Sequence, residues 1–358
     1  LSRGLGDVYK RQAMTGNTPY VAARAKARRQ KLADRARLRQ LISQSPDQLT
    51  VAIGDIGYRS EMDMYAGRLT GGDLVEAALA HNLEHELEAM VNLCSGKIRT
   101  IVEIYTNRYE YHNAKVVLRS VANNVDMEKV TRSILPELND INTPWLKIIE
   151  SSDDLRSAVV QMRRKNFGSA LGAVAEDGRL SDYEDALDRH YFANALAALK
   201  GTRADVRFLK GLLSAEIDHR NILNVLEAEA VGFSNDLIVD MLIPGGRVVP
   251  KRAFSTIATG GKDAMLGLLR TASRFDATTF EEALARSEQE HSLDAVVTFL
   301  KERELKMMAR MSFLHPVSAL PVIHYVAAKV QEVNDLRLIV RGRLAGLPTD
   351  VLEAHVLN

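Results

Sequence analysis

Three stretches placed a little over a hundred residues apart spell the same helical unit, and this repetition constrains the chain more than any other feature. L-I-S-Q-S-P-D-Q-L-T-V-A-I at 41–53, I-I-E-S-S-D-D-L-R-S-A-V-V at 148–160 and I-A-T-G-G-K-D-A-M-L-G-L-L at 257–269 share one pattern. An apolar pair closes one helix, a small polar loop follows, and an Asp precedes the next apolar stripe. Asp47, Asp154 and Asp263 lie 107 and 109 residues apart. Each suits a helix N-cap or an acid in the first turn, facing the positive end of the helix dipole. A second landmark repeats with it: E-Y-H-N-A-K-V-V-L-R (110–119), I-D-H-R-N-I-L-N-V-L-E (217–227) and E-V-N-D-L-R-L-I-V-R-G-R-L-A-G (332–346). Asn113, Asn221 and Asp335 align, and in each copy apolar residues follow one helical turn later. The polar residue therefore borders the buried face, where a short amide needs a partner on a neighbouring helix or loop carbonyl.

A period near 110 residues exceeds the 20–50 residues of the common solenoids, so the pattern predicts triplication of a small helical domain. The expected boundaries are 14–137, 138–246 and 247–358, with breaks near Pro136 and at Pro244-Gly245-Gly246. Leu87, Met90 and Val91, and then Leu187, Tyr191 and Ala195, carry the helical rhythm of the longer helices. Composition agrees: nine prolines and 6% aromatics in 358 residues favour an all-α fold. The 47 basic and 46 acidic side chains nearly cancel, which argues against a nucleic-acid partner. One cysteine, Cys94, excludes an internal disulfide, and no apolar run approaches the roughly 20 residues that span a bilayer.

Between Tyr20 and Gln40 the charges are local and one-sided. Arg24, Lys26, Arg28, Arg29, Lys31, Arg35, Arg37 and Arg39 face Asp34 alone, with Val21, Ala25, Leu32 and Ala36 as a thin apolar stripe on an expected helix. A solvated face, an acidic partner or lipid headgroups would each account for it. Residues 1–13 contain L-S-R-G-L-G-D-V-Y-K-R-Q and resemble translated adapter sequence ahead of Met14; they are expected to stand outside the fold.

Catalytic patterns are sparse. His81-Asn82-Leu83-Glu84-His85 matches the H-x-x-E-H zinc pattern, which would make this helix a zinc-hydrolase site if a third ligand joined it. The apolar Leu83 and Leu87 among Glu84, Glu86 and Glu88 also describe an ordinary amphipathic helix. Gly260-Gly261-Lys262 fails as a phosphate loop because Asp263 stands where Ser or Thr is required. Cys94 in N-L-C-S-G reads as a small core residue, Trp145 as a core anchor, and Asp218, His219 and Asn221 as packing polar groups. No catalytic, cofactor-binding or metal-binding residue is assigned.

The tripled unit, E-Y-H-N-A-K, E-I-D-H-R-N-I-L, L-I-P-G-G, the closing E-V-N-D-L-R-L-I-V-R-G-R-L-A-G-L-P and the opening Y-V-A-A-R-A-K-A-R-R together resemble one family. It is the C subunit of archaeal A-type ATP synthases (rotary ATPases), related to the d subunit of V-type ATPases. The resemblance covers roughly residues 18–356. It implies an all-helical fold of three similar domains arranged as a funnel or socket, with no active site and no cofactor. The partners it implies are the proteolipid rotor ring and the central axle subunits, at the cytoplasmic face of the membrane, with torque passing between them. The membrane surface, met through the basic helix 20–40, is a further expected contact. The zinc hydrolase and a generic helical scaffold are the alternative readings.

Overall fold

The computed structural model describes residues 16–127 and 140–356, and every regular element among them is helical. The 1–13 extension, the break near Pro136 and the I-L-P-E-L stretch around it lie outside the described residues. In chain order the elements begin with α1 (Thr18–Arg29), α2 (Arg35–Ile42), α3 (Pro46–Ile53), α4 (Arg59–Tyr65), α5 (Gly71–Leu93), α6 (Lys97–Thr106) and α7 (Arg108–Ala122). Then follow α8 (Thr143–Glu150), α9 (Leu155–Met162), α10 (Gly168–Gly172), α11 (Leu180–Ala198), α12 (Ala204–Val231) and α13 (Asn235–Met241). The last are α14 (Phe254–Thr271), α15 (Ala277–Glu290), α16 (Asp294–Leu314), α17 (Leu320–Leu344) and α18 (Thr349–His355). By contact the chain gathers into two compact units, Leu1–Gly172 with His315–Asn358, and Ala173–Leu314.

The repeated helix pairs are built as their loops dictate. Ser45 caps α3 through a reciprocal capping box with Gln48, leaving Asp47 in the first turn. Asp154 caps α9, accepting the Ser157 N–H at 2.7 Å. In the 257–269 stretch both halves lie in α14, broken at Gly261, whose φ of 52° and ψ of −134° suit glycine. Asp263 therefore falls in the first turn of the second half. The basic segment departs from expectation: it forms two helices instead of one. Asp34 caps α2 by accepting the Arg37 N–H at 2.8 Å, and the Ala33 N–H donates to Glu332 Oε1 at 2.7 Å, so the chain turns between α1 and α2. Val21 and Ala25 are buried, Leu32 is half-buried and Ala36 is exposed; Leu38, Leu41 and Ile42 form the buried side of α2.

The helix pairs pack on long helices of the chain. α8 and α9 lie against α7, with the Tyr111 and Phe167 rings 4.9 Å apart. α14 lies against α12, where Ile222, Val225 and Leu226 share a core with Ile257, Met265 and Leu269. α2 and α3 lie against α17, whose Val333, Leu336 and Ile339 join Leu38, Leu41, Ile42 and Ile53 in one core. For this reason the spatial units and the copies expected at 14–137, 138–246 and 247–358 are different partitions of one chain.

A buried carboxylate on two of the long helices holds the segment that leads into the next pair. Glu332 on α17 receives the Ala33 N–H, the Tyr58 hydroxyl at 2.7 Å and Lys329 Nζ at 3.0 Å. Asp218 on α12 receives the N–H groups of Arg247 (3.0 Å), Val248 (3.0 Å) and Val249 (2.8 Å). Both carboxylates sit three positions before the aligned residues Asp335 and Asn221. The same register in the first copy is Glu110, which pairs with Lys165 at 2.9 Å. Asn221 adds two bonds of its own, donating to Ile243 O at 2.9 Å and accepting from Ile243 N at 2.7 Å. A Cβ on Gly246 would stand 2.2 Å from Asp218 Oδ1, and Gly245 has φ of 118°. Both glycines of L-I-P-G-G are thereby required.

Gly246→Ala should destabilise the second unit by about 1–3 kcal/mol through overpacking against Asp218, seen as a lower midpoint in chemical denaturation. Glu332→Ala, which leaves Lys329 buried without its counter-charge, should cost the first unit about 3–5 kcal/mol. Lys329→Met in the Glu332→Ala background should restore much of that loss, and hydrogen exchange at α17 amides reads both changes.

Candidate functional site

Apart from exposed His85, the polar residues of the H-x-x-E-H pattern bond to other side chains. On α5 the His81 Nδ1 lies 2.8 Å from the Tyr65 hydroxyl, with the two rings edge to face at 5.8 Å. Burial, reinforced by Glu84 and Glu61, pushes the Tyr65 hydroxyl up to about 12, so it stays protonated and available as a donor. Glu84 accepts from Asn142 Nδ2, while His85 points into solvent. Asn82, between them, is buried and donates to Glu61 Oε1 at 2.8 Å. Among the described residues no three His, Cys, Asp or Glu side chains are grouped to hold a metal ion.

Lys262, just after the break at Gly261 in α14, reaches Glu288 at 3.0 Å and Glu229 at 3.8 Å, and the Glu288 bond raises its pKa. A lysine so committed to carboxylates is poorly placed to receive a phosphate. Cys94 is buried, donates to Met90 O at 3.2 Å, and burial pushes its thiol up to about 11. A thiol that remains protonated at neutral pH is a weak nucleophile. Trp145 is half-buried instead of being a core anchor, with Lys165 Nζ 4.4 Å above its ring.

The polar row on α12 resolves in the same way. Burial raises the Asp218 pKa, and the three N–H groups it receives pull in the opposite direction. Arg303 Nη1 lies 2.7 Å from His219 Nε2, and Glu304 Oε1 lies 2.5 Å from His219 Nδ1. Because a guanidinium can only donate, Nε2 accepts and the proton sits on Nδ1, facing Glu304. Arg220 pairs with Asp188 at 2.7 Å, and Asn224 donates to Met241 O at 2.8 Å. His219, Arg220 and Asn224 were legible as polar residues on an apolar helix, but their partners on α11, α13 and α16 were not.

What remains for an outside partner is surface. The basic segment splits into cations that hold the fold and cations that do not. Arg28 pairs with Glu86 at 2.6 Å, and Glu86 also receives the Tyr325 hydroxyl at 2.6 Å. Arg39 approaches Glu353 at 3.8 Å. Arg24, Lys26, Arg29, Lys31 and Arg35 make no ion pair among the described residues. Close to Arg29 lies His324 on α17, buried beneath α1; burial and then Arg29 push its imidazole down to about 4. Its Nδ1 has no hydrogen-bond partner among the described residues.

His324 supplies a pH dependence with a definite sign. A pKa lowered from 6.5 in the unfolded chain to about 4 in the fold favours the neutral ring in the folded state. Its contribution is complete above pH 6.5 and is lost as the pH falls through that interval to about 4. Melting temperature should fall less steeply over that range in His324→Gln than in the parent chain, as measured by circular dichroism.

Comparison with known proteins gives a consistent result over nearly the whole chain. The family model described as ATP synthase (C/AC39) subunit matches residues 21–355. The A-type ATP synthase C subunit of Haloquadratum walsbyi is 27% identical over 352 residues, covering 96% of this chain and 100% of that protein. Its counterpart of the same name from Haloferax volcanii is 27% identical over 345 residues, covering 95% and 97%. The one from Methanosarcina acetivorans is 24% identical over 350 residues, covering 97% and 95%. A family model that matches residues 21–355, nearly the whole chain, makes this chain a member of the ATP synthase (C/AC39) subunit family.

Proposed function

We propose that the chain is a non-catalytic central-stalk subunit of a rotary A/V-type ATP synthase. In this reading it joins the axle subunits of the soluble head to the proteolipid rotor ring at the cytoplasmic face of the membrane. It carries torque between ion flow and ATP chemistry. The observation that carries the proposal is the family match over residues 21–355, end to end with relatives named as the C subunit of A-type ATP synthases. Two features support it. Side chains on which catalysis could draw are bonded internally: His81 to Tyr65, Asp218 to three backbone N–H groups, and Cys94 to Met90 O. No helix among the described residues is long and apolar enough to cross a membrane, which suits a chain that reaches the bilayer through other proteins of the complex.

The triplicated organisation at 14–137, 138–246 and 247–358 belongs to the same proposal. A torque-bearing element must resist twisting, and buried polar clamps such as Glu332–Lys329–Tyr58 supply directional bonds that a purely apolar core lacks. An affinity tag on this chain, followed by gentle detergent extraction at low salt, should bring down ring and axle proteins together. Recovery of the folded chain without either would overturn the reading.

A further inference from the structure

α1 is held from one side only. Val21, Ala22 and Ala25 are buried, and the helix packs on α17. Asn17 ties its start to the end of α5, donating to Leu93 O at 2.8 Å and accepting the Ser95 N–H at 3.0 Å. Arg28 ties its last turn to Glu86. These contacts fix the helix without using Arg24, Lys26, Arg29 or Lys31. Arg35, exposed at the start of α2, continues the same run, and no acidic residue occurs from Thr18 to Ala33. Arg24, Arg29, Lys31 and Arg35 are thus exposed and Lys26 is half-buried, and none of the five is used in an ion pair among the described residues.

The composition of the outward side selects the partner. Protein interfaces concentrate binding energy in buried aromatic and aliphatic anchors seated in pockets. Around Arg24 and Lys26 the exposed side of α1 offers Ala23 and Ala27, and its one large apolar side chain is Tyr20, more than half exposed. Charge is spread along the helix instead of converging on a point, as a phosphate pocket would require. Diffuse positive charge with an amphipathic ring at one end matches an anionic headgroup layer, where each Lys or Arg adds attraction and Tyr settles at the interface.

We propose that the outward side of α1, continued by Arg35, is a docking surface for an anionic lipid bilayer. The surface would let this chain touch the membrane directly, in addition to the protein partners it binds. The inference rests on the coupling reading only for bringing the chain to a membrane.

The full chain is tested by co-sedimentation with phosphatidylcholine vesicles, with and without phosphatidylglycerol. Binding should require phosphatidylglycerol and weaken as added salt shortens the screening length. Arg24→Gln/Lys26→Gln/Lys31→Gln should reduce partitioning about a hundredfold. Neutralising three exposed cations elsewhere, Lys147→Gln/Arg163→Gln/Arg164→Gln, should leave it unchanged. Circular dichroism establishes that each variant is folded; should the first triple not fold, Arg29→Gln/Lys31→Gln replaces it. Three results overturn the proposal: no preference for phosphatidylglycerol, equal losses in both triples, or displacement from vesicles by polyglutamate or single-stranded RNA at lower charge concentration. Co-purification of ring and axle in detergent, where no bilayer exists, reads the coupling proposal separately. A chain that assembles there yet ignores vesicles sinks the lipid inference alone.

Discussion

A carboxylate buried on a long helix, receiving backbone N–H groups from a segment remote in sequence, is the interaction on which the rest depends. Asp218 does this for residues 247–249 and Glu332 for Ala33. Neither segment belongs to a helix at those points, so its N–H groups have no helical partner and would be costly to bury unpaired. The carboxylates satisfy them and, in doing so, set where the next helix pair begins. Apolar packing then completes the arrangement, but it is non-directional and could not by itself choose the register.

The choice of partner follows the same logic. α12 and α17 carry polar residues on faces that are otherwise apolar, and several of these buried polar positions bond incoming loops. Asn221 binds both backbone groups of Ile243, Asn224 takes Met241 O, and Gly246 leaves room for Asp218. L-I-P-G-G is therefore a fitted segment, shaped by Pro and Gly to lie under a polar row. Arg28, Glu86 and Tyr325 join α1, α5 and α17 by a smaller version of the same device.

The all-helical class was plain in the sequence, since few prolines and repeated apolar pairs leave little alternative. So were the capping role of Asp154 and the first-turn position of Asp47, because caps are local and obey short spacings. Asn221 was correctly placed at the edge of a buried face and bonded to a loop. An acid three positions earlier recurs as Glu110, Asp218 and Glu332, and that recurrence is a signal the sequence carries. The turn at residues 30–34 was not legible, since it depends on Glu332, far away in sequence. Likewise, nothing local says that α2 and α3 pack on α17, or that Ala36 faces solvent while Leu38 does not.

The Ala33–Glu332 bond joins positions 299 residues apart, and this has a consequence for how the molecule is made. The core around Leu38, Ile42 and Ile53 lacks Val333, Leu336 and Ile339 until the last helices leave the ribosome. The second unit, Ala173–Leu314, is continuous and finishes earlier. Synthesis therefore holds the first apolar faces open while a whole inserted body folds, a period in which such surface is prone to aggregation. Closing that loop costs chain entropy that grows only slowly with length, so the delay matters more to kinetics than to final stability. α17 acts as the fastener of the first unit, and losing it would leave α2 and α3 without part of their core.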